Sequence, residues 1–223
     1  MPAFYQLLDE DRSMKFPFTM PRQFLGSLAP LFLLFSLFSN PVLAHHPFGM
    51  GESAELSTWQ ALLSGLGHPL LGPDHLLFML GIALVGIKKT KKWVIPLLIT
   101  GLAGSTFVQI QPLPELLAPW AEALVSLSLG IEGLIILNFL NPKWLLPLFA
   151  FHGYLLGNTI VGAEPSPLIG YFVGLLLAQG SLLLLVTTTS LSLIKRVNVN
   201  TRNIFAGIWI GIGLAFSWVA LIP

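Results

Sequence analysis

The chain has 223 residues, 54% of them hydrophobic and only 9% charged, and its mean hydropathy is +0.80. That is the composition of a membrane protein. It contains no cysteine, which excludes disulfides, cysteine-ligated zinc and thiol chemistry, and its formal net charge of +1 says less than where the charges fall.

Residues 1–21 form a polar extension carrying Asp9, Glu10 and Asp11, and either Met14 or Met20 would serve as an alternative start. Residues 22–44 read as a signal peptide. Arg22 precedes an apolar run from Phe24 to Phe38, and Pro41-Val42-Leu43-Ala44 ends in a small residue. Cleavage after Ala44 would make His45 the new N-terminus, placing it outside; the alternative is an uncleaved anchor. His45 and His46, with a freed amine, are candidates for collecting divalent cations, against a merely solvated end.

Residues 45–223 form the membrane domain. After a polar lead through Thr58, six apolar segments follow, at about 59–87, 93–110, 119–140, 144–161, 167–194 and 204–222. The expected fold is an all-α membrane protein of six transmembrane helices. Lys88, Lys89, Lys91 and Lys92 follow the first segment, Lys143 the third, and Lys195, Arg196 and Arg202 the fifth. All these basic residues fall on one side, which the positive-inside rule makes cytoplasmic. Both mature termini are then extracytoplasmic, as are the loops carrying Glu115 and Glu164.

The first segment contains Gly67-His68-Pro69-Leu70-Leu71-Gly72-Pro73-Asp74-His75-Leu76-Leu77-Phe78-Met79. Two glycines and two prolines predict a helix broken at His68–Pro73. Proline suits the first helical position, so a second helix should start at Pro73, with Asp74 and His75 in its first turn. Met79 follows His75 by four residues on the same face. His68 lies across the break and can fold back. Ionisable groups at this depth are costly and mark a pathway or site. Imidazole, carboxylate and thioether together suit a divalent transition metal, with Ni²⁺ modestly favoured over Co²⁺.

Further along, Glu122, His152 and Glu132 are the other candidates. His75 is ~18 Å from the cytoplasmic end of its segment and His152 ~12 Å from the cytoplasmic end of its own. Ordered by depth, Glu122, Asp74 with His75, His152 and Glu132 make a cation ladder, provided their faces converge. Each has a plainer alternative. Asp74 and His75 would be a self-satisfied pair at a helix break, and His68 a cap. Met79 would be packing, His152-Gly153 a close helix contact, and Glu122 a solvated carboxylate. Glu132 is deeper, and the sequence offers it no partner.

The pattern His68-Pro69-x-x-Gly72-x-Asp74-His75-x-x-x-Met79 resembles the signature of the HupE/UreJ family, hydrogenase and urease accessory membrane proteins regarded as nickel or cobalt permeases. The resemblance extends over most of the chain after residue 44. His152, Gly153 and Gly157 are similar to a second His-Gly element of that family. Tyr154 and Leu156 stand where a further histidine is common, and Leu183 or its neighbours stand where a late histidine is expected in the fifth segment. Glu164 is a candidate stand-in from the outer loop.

The resemblance implies a permease for Ni²⁺ or Co²⁺ that supplies metalloenzyme maturation. The competing class is a non-transporting accessory protein that holds metal or docks onto a membrane or metalloenzyme-maturation partner. An enzyme is not expected: there is no His-Glu-x-x-His and no Gly-x-Ser-x-Gly. No nucleotide-binding glycine loop is present, and no nucleic-acid partner is expected. Six spans also divide naturally as three plus three, and His68 and His152 open the two halves with a faint echo.

Overall fold

The computed structural model describes residues 56–85 and 91–222; the expected signal peptide, His45 and His46 lie outside them. The described residues are 87% helical with no strand among them. The helices are α1 (Thr58–Leu71), α2 (Pro73–Val85), α3 (Lys91–Ile110), α4 (Ala118–Ile136), α5 (Leu145–Asn158), α6 (Pro165–Arg196) and α7 (Val199–Leu221).

Local chemistry sets the ends of these helices. Ser57 caps α1 in a capping box with Gln60. Helix α4 stops where Asn138 adopts φ 64°, a left-handed conformation that asparagine tolerates. Helix α7 starts under Asn198, whose side chain accepts from the Thr201 N–H.

Four helices are each long and apolar enough to cross a membrane: α3, α4 with its lead-in, α6 and α7. The pair α1 and α2 qualifies jointly, bent by 63° at Gly72. The fourth expected span falls short. Helix α5 has 14 residues, or ~21 Å, where a span needs ~20 residues. Its sequence begins with a separate 3-10 turn at Pro142–Trp144 and ends in turns after Asn158, so the apolar run does not become one long helix.

Three helix pairs build the bundle: α1 with α6, α3 with α5, and α4 with α7, while α2 sits between α6 and α4. Dividing the chain into α1–α4 and α5–α7 shows the logic. Exchanging the halves maps the α1–α6 pair onto the α3–α5 pair and returns α4–α7 to itself. The three-plus-three division is therefore visible in the packing. Small residues let these backbones meet. A Cβ at Gly153 would overlap the Gly101 backbone, and one at Gly65 the Tyr171 carbonyl. Ser105 Oγ then reaches the Gly153 carbonyl at 2.7 Å, and Gln109 Nε2 the Gly157 carbonyl at 2.8 Å.

Cross-helix contacts define two ends. At one, Ser190 Oγ donates to the Ala83 carbonyl and the Arg202 guanidinium to the Ile136 carbonyl. This joins the ends of α2, α4 and α6 to the start of α7. At the other, Thr58 Oγ1 meets Ser166 Oγ, and Ser217 Oγ donates to the Ala123 carbonyl. Exposed tryptophans mark both ends: Trp59, Trp120 and Trp218 at the second, Trp144 at the first. Amphipathic rings favour such positions at a bilayer interface. Between them, Ile95, Ile99, Phe107, Leu184 and Leu185 face outward, as expected of surface turned to lipid.

Candidate metal centre

The break that positions the site is narrower than the stretch His68–Pro73. Helix α1 continues through His68 and Pro69 to Leu71, and Gly72 alone leaves helical geometry, with φ −72° and ψ 110°. Its N–H still closes α1 onto the His68 carbonyl at 2.9 Å, and its carbonyl accepts the first bond of α2 from Leu76. Pro73 then starts α2, where its missing N–H costs nothing. A side chain at 72 would press on the His75 ring, with Cδ2 only 2.9 Å from the Cβ position. Glycine therefore lets the imidazole fold against the break.

Three imidazoles meet there, all buried: His68, His75 and His152. The His75 ring centre is 5.7 Å from that of His68 and 5.0 Å from that of His152. His75 Nδ1 lies 2.7 Å from His152 Nδ1. His152 also stacks on Phe78, ring centres 4.2 Å apart, and its Nε2 is 2.6 Å from Ser128 Oγ.

The hydrogen bonds assign the tautomers. Ser128 has one proton, and it goes to the Val125 carbonyl at 2.5 Å. Ser128 therefore accepts from His152 Nε2–H. His152 Nδ1 is then a lone pair accepting from His75 Nδ1–H, which leaves the His75 lone pair on Nε2. The same reasoning holds for His68. The Tyr171 hydroxyl gives its proton to the Leu156 carbonyl at 2.5 Å, so it accepts from His68 Nδ1–H at 3.2 Å. His68 likewise carries its lone pair on Nε2. Ser128 and Tyr171 thus orient the rings as partners of metal-binding histidines do.

Met79 is buried and, with His75, His152, Phe78, Phe149, Leu156 and Gln179, lines a tight space with no room for water. Asp74 is half-buried, and its Oδ1 accepts from the His75 backbone N–H at 2.9 Å, capping its own helix. Glu122 lies six residues before Ser128 on α4 and Glu132 four residues after it. Glu132 packs against Gly81 and Trp209 rather than beside the imidazoles. Among the described residues, no three His, Asp or Glu side chains surround a single point.

A family model for the HupE / UreJ protein matches residues 33–216, more than four-fifths of the chain. The chain belongs to the HupE / UreJ family. No curated protein and no solved structure matches it. The HupE / UreJ family is associated with nickel and cobalt uptake for hydrogenase and urease maturation.

Against the HupE / UreJ pattern, besides Tyr171 at His68, α6 brings Gln179 and not Leu183 to the space beside His75 and His152. Gln179 is buried, with Oε1 lacking a hydrogen-bond partner. A lone amide within Leu175–Leu185 was the available signal. Ser128 and Tyr171 gave none, because their roles depend on which histidine they face. Glu164 lies in the turn before α6, at the end opposite Arg202.

Proposed function

We propose that this protein is a membrane permease for a divalent transition-metal cation, Ni²⁺ ahead of Co²⁺, serving metalloenzyme maturation. The observation that carries this is the position of His75 between His68 and His152. The metal is cargo. Beside His68 the ion takes His75 Nε2; to pass between His75 and His152 it takes His75 Nδ1, whose proton moves to Nε2, together with the His152 Nδ1 lone pair. His75 is the ligand common to both arrangements, so an ion can be handed along without losing it. Met79 offers a softer donor beside it. Asp74 at the break draws cations toward the imidazoles. His45, His46 and Glu122 collect ions at the outer end, and the basic end is cytoplasmic by the positive-inside rule.

Conduction requires an ion to leave as well as enter. Purified protein in liposomes loaded with a metal-sensitive dye tests the reading. Expected is Ni²⁺ entry that His75→Ala abolishes. Binding without flux would instead identify a non-transporting accessory protein.

A further inference from the structure

Four residues past Ser128 on α4, Glu132 is completely buried, and neither carboxyl oxygen has a hydrogen-bond partner. The indole Nε1 of Trp209, from α7, is buried and also without one. Both are packed against Gly81 of α2. A Cβ at residue 81 would overlap Glu132 Oε2 and Trp209 Nε1. Three helices therefore enclose a notch, opened by one glycine, that holds one carboxyl and one N–H donor.

A carboxyl in such surroundings holds a cation, because an isolated charge there is very costly. A transition metal wants several donors. Here there is one carboxyl, and no group of three His, Asp or Glu is found among the described residues. The indole N–H, moreover, turns its positive end toward any ion in the notch. A proton needs only one oxygen. Once it leaves, the Trp209 N–H is positioned to become the donor that the carboxylate lacks.

We propose that Glu132 and Trp209 form a proton site, and that a metal ion arriving at the imidazoles displaces its proton. This rests on the imidazole reading above. His75 and Gly81 share α2, six residues or ~9 Å apart along the axis. At that separation inside a membrane protein, a divalent ion and a proton oppose each other's binding. The exchange balances without electrons: Glu132 carboxylic acid and a free M²⁺ become Glu132 carboxylate, bound M²⁺ and one released proton.

The other charged or titratable groups on the packed helices are few. They are Asp74 and His75 on α2, Glu122 on α4, His152 and Tyr154 on α5 and Arg202 on α7. The Arg202 guanidinium donates to the Ile136 carbonyl, one turn beyond Glu132.

The test uses the full chain in nanodiscs, as wild type, Glu132→Gln, Trp209→Phe and His75→Ala. Without metal, infrared spectra should show a protonated-carboxyl C=O stretch in wild type and His75→Ala that Glu132→Gln removes. On adding NiCl₂ at pH 8 in weak buffer with a pH dye, wild type should release one more proton per bound ion than Glu132→Gln. Trp209→Phe should reduce that excess. Wild type lacking the band, or equal proton release by wild type and Glu132→Gln with nickel bound to both, overturns the proposal. Nickel failing to bind wild type defeats the imidazole reading and the coupling, and the infrared band then decides the proton site alone.

Discussion

His75 Nδ1 and His152 Nδ1, 77 positions apart in the chain, face each other at 2.7 Å in a buried contact between α2 and α5. Only one can donate, so the pair behaves as a unit. His152→Ala should leave His75 without its acceptor, costing about 1–3 kcal/mol of stability. It should also reduce Ni²⁺ flux at least several-fold. Thermal unfolding in detergent reads the first effect and the liposome assay the second. Unchanged flux in His152→Ala would remove His152 from the path.

Gly72 is the second lever. Alanine fits the φ and ψ of residue 72, so the backbone itself does not forbid it. Its Cβ would nevertheless meet the His75 ring at 2.9 Å and the His68 carbonyl at 3.2 Å. Gly72→Ala should therefore fold and insert but bind Ni²⁺ more weakly, by displacing an imidazole. Titration of metal binding on purified protein measures this, and wild-type affinity would show that the ring moves aside at no cost.

For Asp74, charge and shape can be separated. Asp74→Asn keeps an oxygen for the His75 N–H and should retain stability while lowering flux several-fold through the lost charge. Asp74→Ala loses the cap as well, for about 1 kcal/mol. Equal flux in wild type and Asp74→Asn would reduce Asp74 to a cap.

The cysteine-free chain makes the topology directly testable. Cysteines placed at positions 90 and 164 should separate under an impermeant outside reagent, with 164 labelled and 90 protected. The reverse would invert the permease. Intact mass of membrane-extracted protein should correspond to a chain beginning at His45, and a mass that includes residues 22–44 would indicate a retained anchor.

Much of the centre was legible because its signals are local. Gly72-Pro73 announces a helix break, and Asp74-His75-x-x-x-Met79 fixes one face by helical periodicity alone. The partners that orient the imidazoles were not legible. Tyr171 reaches His68 across 103 positions, and Ser128 reaches His152 across 24, both by helix packing that no local spacing encodes. Glu132 sits four residues beyond Ser128 on α4, but its place on a helix does not reveal that it faces Gly81 and Trp209. The short α5 was overestimated because hydropathy counts apolar residues through a 3-10 turn and a terminal turn as readily as through a helix.

Helix α6 contains 32 residues, or ~48 Å along its axis. Its apolar part, Pro165–Ser190, spans 26 residues, or ~39 Å, against a hydrocarbon layer of ~30 Å. Fitting that length inside would take a tilt of ~40°, the upper end of what membrane helices adopt. The Thr187–Ser192 stretch eases the mismatch. Thr187, Thr188, Thr189 and Ser192 return their hydroxyls to carbonyls three or four residues back, so they tolerate either lipid or headgroups. Because Ser190 is bonded to Ala83 of α2, the angle at which α6 settles in a bilayer is carried to the helix that holds His75. Membrane thickness thereby becomes a variable of the metal centre, and acyl-chain length a setting for how readily it loads.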